Sequence, residues 1–353
     1  MRFTATWCGY WGLKMGFDSF IGNRKNIERL QAKIRENRFP HALLFSGPDG
    51  IGKRTFALMV AKALNCANAP TGEFCDSCTQ CQKTDAGTHS DVMRIGLEDD
   101  ASEIKIAQIR EAIRMLDFRP LEGRSKIFII DPANLLNASS ANALLKGLEE
   151  PPDESYFILI TNSLHALLPT IRSRCQSYAF TPLSLEDLRR FGSASGTFDE
   201  LTLRWSRGSI GTYQTLDGAA LRVQREGILN FIETAILSNQ EDFRELLSVA
   251  KEIAGTKQDF GAHLEMIGIV LTDLLYLKEG RSEHVINFDI QDRLEQLAES
   301  IATQNLIQLS EFLGVMERSL KTHVNRPMLT EVLALSGNQA LAKILDDIPS
   351  RSR

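Results

Sequence analysis

Between about residues 16 and 181, short apolar runs alternate with amphipathic stretches. Residues 43–45, 92–95, 127–130, 157–160 and 177–180 read as strands, while 104–116 and 140–148 carry apolar positions at helical spacing. Such alternation predicts an α/β domain with a largely parallel sheet covered by helices on both faces. The pattern changes at Pro182, after which Ser184 and Asp187 read as the cap and third residue of a new helix. Glycine- and serine-rich segments at 192–196 and 206–211 punctuate this stretch, and a small helical domain is expected over 182–217. Beyond 218 the period is helical throughout, with Ile228, Phe231, Ile232, Ala235 and Ile236 on one stripe and Leu264, Ile267, Leu271, Leu274 and Leu275 on another. The segments 294–301, 306–320 and 328–345 behave alike. The expected layout is an extension of doubtful origin over 1–15, an α/β domain over 16–181, a helical domain over 182–217, an all-helical domain over 218–345 and a tail over 346–353. Met15 is a second candidate start.

Composition narrows the class without changing this picture. The 353 residues are 43% apolar and 24% charged, as in ordinary globular domains. Uninterrupted apolar runs, such as 127–130, are only a few residues long, against about 20 for a bilayer, so no membrane span is expected. The first fourteen residues lack the apolar core and small-residue cleavage site of a secretion signal. Residues 221–353 hold 14 lysines and arginines against 20 acids, and the rest 26 against 25. Neither part resembles an autonomous, strongly basic nucleic-acid binder. Four of the six cysteines lie between 66 and 81, which fits a metal site in a cytoplasmic protein better than disulfides.

The chemistry begins at Gly47-Pro-Asp-Gly-Ile-Gly-Lys53, which has the glycine spacing and lysine of a Walker A loop between a strand and a helix. Gly47, Gly50 and Gly52 would turn backbone N–H groups toward phosphate, and Lys53 would neutralise it. The next residue, where a Ser or Thr would hold Mg²⁺, is Arg54, and Thr55 points about 100° further round the helix. A second acidic box, 127–130 ending in Asp131, continues with Pro132 where an ATPase places the Glu that polarises water. Thr161 and Asn162, after the fourth strand, are candidate γ-phosphate contacts or a simple strand-end turn. Gly211 stands where a lid arginine is expected, although Arg207 is close by. ATP or ADP could still occupy such a site, but hydrolysis is not expected there.

Two other constellations are intact. Cys66, Cys75, Cys78 and Cys81, spaced C-x8-C-x2-C-x2-C, suit one tetrahedral Zn²⁺ with no open position, and thus a structural site. The competing reading is a redox pair within Cys75-x-x-Cys78. The segment 170–175, Thr-Ile-Arg-Ser-Arg-Cys, presents Arg174 as a candidate finger that completes a neighbour's nucleotide site. Its alternative is a surface arginine in a salt bridge.

Residues 41–48 (His-Ala-Leu-Leu-Phe-Ser-Gly-Pro), the four-cysteine insert, residues 142–152 (Asn-Ala-Leu-Leu-Lys-Gly-Leu-Glu-Glu-Pro-Pro) and Ser173-Arg-Cys175 together resemble the clamp-loader branch of AAA+ proteins. The resemblance runs from about Phe17 to Thr181; the remainder fits in layout only. It implies an AAA+ domain with a zinc module, a helical lid and a C-terminal collar, in a bacterial DNA polymerase III assembly. Active members keep a Ser or Thr after the loop lysine and an Asp-Glu pair in the second box. The joint departures at Arg54, Pro132 and Gly211 therefore imply a stator subunit that does not hydrolyse ATP. The implied partners are ATPase subunits (gamma/tau) and a clamp-opening delta subunit in a pentameric ring, with the sliding clamp and primed DNA reached through the complex. Arg174 would serve the adjacent ATPase. The rival readings are a working ATPase that holds Mg²⁺ through Thr55 or water, and an AAA+ adaptor unrelated to replication and held together by zinc.

Overall fold

In the computed structural model, five strands form one parallel sheet in the order β2-β3-β4-β1-β5, with β1 Ala42–Ser46, β2 Val92–Ile95, β3 Lys126–Ile130, β4 Ser155–Thr161 and β5 Gln176–Ala179. All five coincide with the runs predicted from the apolar pattern. The described residues are 16–98, 101–195, 198–237, 248, 250, 251, 253–255, 257–319 and 326–337. The expected extension over 1–15 and tail over 346–353 lie outside them, as do Gly196, Leu320 and residues 338–345.

The chain divides into two compact units, Met1–Thr215 and Leu216–Arg353. In the first, β1 and β3 are buried at every position because helices cover both faces of the sheet. Leu43, Phe45, Ile127, Ile129 and Ile158 join one core with Phe56, Val60 and Tyr178. Leu44, Phe128, Ile130, Phe157 and Leu159 face another with Ile109, Leu144, Leu148 and Ile171. Period-two alternation assigns each strand residue to one core or the other.

The helices of this unit are α1 Arg24–Arg35, α2 Lys53–Asn65, α3 Thr79–Ala86, α4 Ile106–Met115, α5 Ala138–Glu149 and α6 Pro169–Arg174, followed by α7 Leu185–Ser195, α8 Glu200–Trp205 and α9 Ile210–Thr215. Ser184 caps α7 as its sequence predicts, accepting from Asp187 N at 3.1 Å and donating to Asp187 Oδ2 at 2.8 Å. Leu183, Leu188, Phe191, Leu203 and Tyr213 make the small core of this last segment.

The second unit is helical among its described residues, with long helices Gly218–Leu237, Lys257–Lys278 and Thr303–Ser319. One of them, Lys257–Lys278, has no long uninterrupted apolar run but a high average apolarity. Over Phe260–Lys278, that helix is apolar and long enough by composition to cross a membrane. Its Leu264, Ile267, Val270, Leu271 and Leu274 are buried within the unit, and its fully buried Asp273 accepts from Ile286 N at 2.8 Å and Asn287 N at 2.9 Å. These contacts make it a core helix.

Loop anchoring in the first unit rests on two polar side chains that periodicity does not reveal. Asn65 ends α2, accepts from Arg124 N and Ser125 N at 2.8 Å each, and donates to Ser125 O at 3.0 Å. Asp91 is buried and accepts from Leu121 N at 2.8 Å, Glu122 N at 2.9 Å and Gly123 N at 2.8 Å. Burial alone would raise its pKa, but the three N–H donors outweigh burial and hold it below the ordinary aspartate value. A lowered folded pKa means stability that is present above about 3.9, the unfolded value, and lost as pH falls through the folded one. Asp91→Ala should therefore cost about 3 kcal/mol at neutral pH, because it strands three amide donors. Urea melts across pH 2–5 should show a shallower acid dependence for the variant; an unchanged slope would remove Asp91 from this role.

Candidate nucleotide site, cysteine cluster and finger edge

Three strand ends meet at the carboxyl edge of the sheet. Ser46 of β1 pairs with Thr161 of β4, and Gly47 N donates to Thr161 O at 3.2 Å, so the glycine loop starts beside the fourth strand. Asp131 follows β3, the next strand over. Gly47, Gly50 and Gly52 all have positive φ, at 146°, 72° and 92°. At Gly47 a Cβ would lie 2.4 Å from Phe180 O, which only glycine tolerates.

The structure brings the predicted residues together and links them to one another. Lys53 is only 5% exposed and turns back on its own loop, donating to Gly47 O and Pro48 O at 2.5 Å each, with Asp49 Oδ1 at 3.7 Å. Burial lowers its pKa, against the carboxylates of Asp49 and Asp131, which raise it. Arg54 Nε donates to Asp131 Oδ2 at 2.5 Å. A guanidinium therefore sits against the acid that would hold Mg²⁺ in a hydrolysing site. Asn162 Nδ2 donates to Asp49 Oδ2 at 2.7 Å, tying the end of β4 to the loop. Thr161 is buried and engaged by the chain, donating to Ser163 O at 2.9 Å and accepting from Ser163 N at 3.0 Å, with Asn134 Oδ1 at 3.2 Å.

From the other side, α9 reaches the loop through its backbone. Gly211 N donates to Gly50 O at 3.0 Å, and a Cβ at Gly211 would meet Gly50 Cα and O at 3.1 Å. The missing lid arginine is thus a position at which backbone touches backbone. Arg207 lies in an exposed turn with φ 46°.

Sequence reasoning missed Asp49 and Arg94. Asp49 is visible as the acid inside the loop, next to the lysine it faces. Arg94 lies on β2, donates to Thr84 O, and has its pKa lowered by burial, raised by Asp85 and lowered again by the charge of Arg54. No spacing rule marks it, because its proximity to Arg54 arises from the order of strands.

The four cysteines converge as their spacing predicts. Their sulfurs all lie within 4.8 Å of one another, with Cys66 Sγ 4.0 Å from Cys78 Sγ. Metal–sulfur bonds of about 2.3 Å in a tetrahedron put sulfurs about 3.8 Å apart, whereas a disulfide needs about 2.05 Å. Burial raises the pKa of Cys75, but donors from Ser77 and Cys78 outweigh it and leave the thiol below its ordinary value. Cys66 terminates α2 and Cys78 caps α3, so two helix ends fix the cluster. Lys62, on α2, braces the insert through Asp76 at 2.6 Å and Asp85 at 3.1 Å and lies over the Phe74 ring at 4.7 Å. These cysteines could hold one metal ion. Cys175, by contrast, is buried and its thiol is pushed up to about 12.

Arg174 lies at the end of α6, with its side chain 35% exposed. Its Nη2 is 2.6 Å from Glu149 Oε1, and its Nη1 donates to Thr170 O at 3.0 Å. The chain alone therefore displays the salt-bridged arrangement that is the alternative to a finger.

Comparison with known proteins agrees in both sequence and fold. Residues 22–184 match a family model described as DNA polymerase III, delta subunit, and residues 225–338 one described as DNA polymerase III, delta subunit, C terminal. The chain is 27% identical to the DNA polymerase III subunit tau of Bacillus subtilis, over 94% of this chain and 63% of that protein. It thus spans less than two thirds of that relative. It is 29% identical to the subunit delta' of the same organism, over 85% of this chain and 90% of that protein. A crystal structure of a DNA polymerase III gamma subunit-related protein from Thermotoga maritima shares the fold with a TM-score of 0.50 and 20% identity, covering 88% of this chain and 98% of that one. With two family models matched in order along the sequence, the first over the α/β fold and the second over the helical unit, the chain belongs to the clamp-loader subunits of DNA polymerase III.

Proposed function

We propose that this chain is a delta'-like stator: a clamp-loader subunit that does not hydrolyse ATP and that lends Arg174 to ATP bound by a neighbouring ATPase subunit. The observation that carries this reading is the 2.5 Å contact between Arg54 and Asp131. Hydrolysis at a P-loop needs a divalent cation between the acid, the loop hydroxyl and the phosphates. Here the acid already has a cation attached to the chain, the hydroxyl is gone, and Pro132 takes the place of the second carboxylate. Nucleotide could enter only by displacing Lys53 from its loop carbonyls, and it would find no place for its metal.

On this reading residues 16–181 form the AAA+ domain, 182–217 the lid and 218–345 the collar that holds the subunit in a pentameric ring. Its partners are gamma/tau ATPase subunits and a clamp-opening delta subunit, which together place a sliding clamp on primed DNA in the cytoplasm. The chain is similar to a delta' protein over nine tenths of that relative's length and to tau and gamma proteins as well, so the choice between them rests on Arg54 and Pro132. The cysteine cluster holds a structural Zn²⁺, since four thiolates leave no position for water.

Two outcomes are expected in solution. The isolated chain should show no ATP turnover. In a complex reconstituted with the ATPase and clamp-opening subunits, Arg174→Ala should assemble normally yet slow hydrolysis at the adjoining site by about a hundredfold or more. Turnover by the isolated chain, or unchanged hydrolysis in the variant complex, would refute the reading. For the metal, purified protein should contain about one zinc per chain, and Cys78→Ser or chelation should lower the melting temperature. A folded, metal-free chain with four reactive thiols would exclude the zinc site.

A further inference from the structure

Arg174 does not hang free from the end of α6, and the residue that holds it stands in an unusual place. Glu149 is the last residue of α5, at the negative end of that helix, where a carboxylate is disfavoured by the helix dipole. Its backbone is fixed on both sides. Leu148 is buried in the core, and its carbonyl is 3.1 Å from His41 Nε2. Pro151 and Pro152 come directly after Glu150 and stop the helix. Arg174 is anchored in the same way, because Ile171 and Cys175 are buried in the core that contains Leu148. The two backbones are thus set at a fixed separation by shared packing, and the 2.6 Å contact results from it.

An arginine has five N–H donors. In this arrangement Glu149 Oε1 is ion-paired with Nη2 and Thr170 O takes one N–H from Nη1, which leaves donors for an incoming phosphate on a side chain still 35% exposed. We infer that Glu149 is a positioning residue for the finger: it holds the guanidinium in the rotamer that a neighbour's nucleotide needs. This inference rests on the finger reading of Arg174. Without the carboxylate, a long flexible side chain would have to be ordered at each turnover, a loss of about two- to tenfold in rate. Glu149 touches no reacting atom, and its effect passes wholly through Arg174.

The test uses the full chain in a reconstituted complex in which only the adjoining ATPase subunit keeps its loop lysine, assayed with clamp and primed DNA at varied ATP. Glu149→Ala should lower kcat by about two- to tenfold with little change in KM, and with assembly and melting temperature preserved. Glu149→Gln, which keeps a hydrogen-bond acceptor, should recover part of the loss. On an Arg174→Ala background, Glu149→Ala should have no further effect. The inference is overturned if Glu149→Ala leaves kcat unchanged or raises it while Arg174→Ala is slow, or if the two losses multiply. Should Arg174→Ala itself leave kcat unchanged, the finger reading fails, and the role of Glu149 fails with it.

Discussion

The placement of every candidate nucleotide contact depends on β1 lying between β4 and β5 with both of its faces buried. Strands 1 and 4 pair from Ala42 with Phe157 to Ser46 with Thr161. The glycine loop must therefore leave the sheet beside Asn162, and Asp131 emerges one strand further on. Slipping this register by one residue would turn Leu44 and Phe45 into each other's cores, a change that packing on two sides forbids. The location of the site is thus decided by apolar burial. What occurs at that location is decided by a few residues at the sheet edge that contribute little to folding.

Among those residues the decisive matter is charge compensation. Asp131 is largely covered, and a covered carboxylate needs a cation. In a hydrolysing site the requirement is met by Mg²⁺ that arrives with nucleotide. Here Arg54, two thirds exposed, meets it from within the chain. A pair with one exposed partner adds only modest stability, so its importance lies in the place it fills. It also gives the acid a use in a site proposed to be inactive: Asp131 offsets the charge that Arg54 brings near Arg94 and faces the buried Lys53. Asp49 serves in the same way, meeting Lys53 on one oxygen and Asn162 on the other.

Fold was more legible in the sequence than contacts were. Five apolar runs gave five strands, because a parallel sheet buried on both faces leaves short, nearly continuous hydrophobic segments in the chain. Ser184 and the four cysteines were readable because their function depends on local spacing. Asp91, Asn65, Arg94 and Glu149 were not, since each meets its partner only after strands distant in sequence are brought side by side. Asp91 reaches amides thirty residues on, and Asn65 reaches sixty. The helix Lys257–Lys278 was readable from its stripe of Leu264, Ile267, Leu271 and Leu274. Its apolar residues are interrupted often enough to escape a search for continuous runs, yet their average is that of a membrane span, and its buried leucines together with the partners of Asp273 make it a core helix.

The home site and the arginine edge differ in what they leave unsatisfied, and this difference gives the proposed division of labour its physical content. At the home site Lys53, Arg54, Asn162 and Gly211 are all engaged by the chain itself, two of them through loop backbone. A ligand there must break several contacts before it makes any. At the other edge Arg174 is held by one carboxylate and one carbonyl, on helices α5 and α6 that share one core. The guanidinium keeps spare donors for an approaching anion. On the proposed reading, the arginine edge would meet a phosphate that belongs to another subunit, while the home site would hold none with its metal.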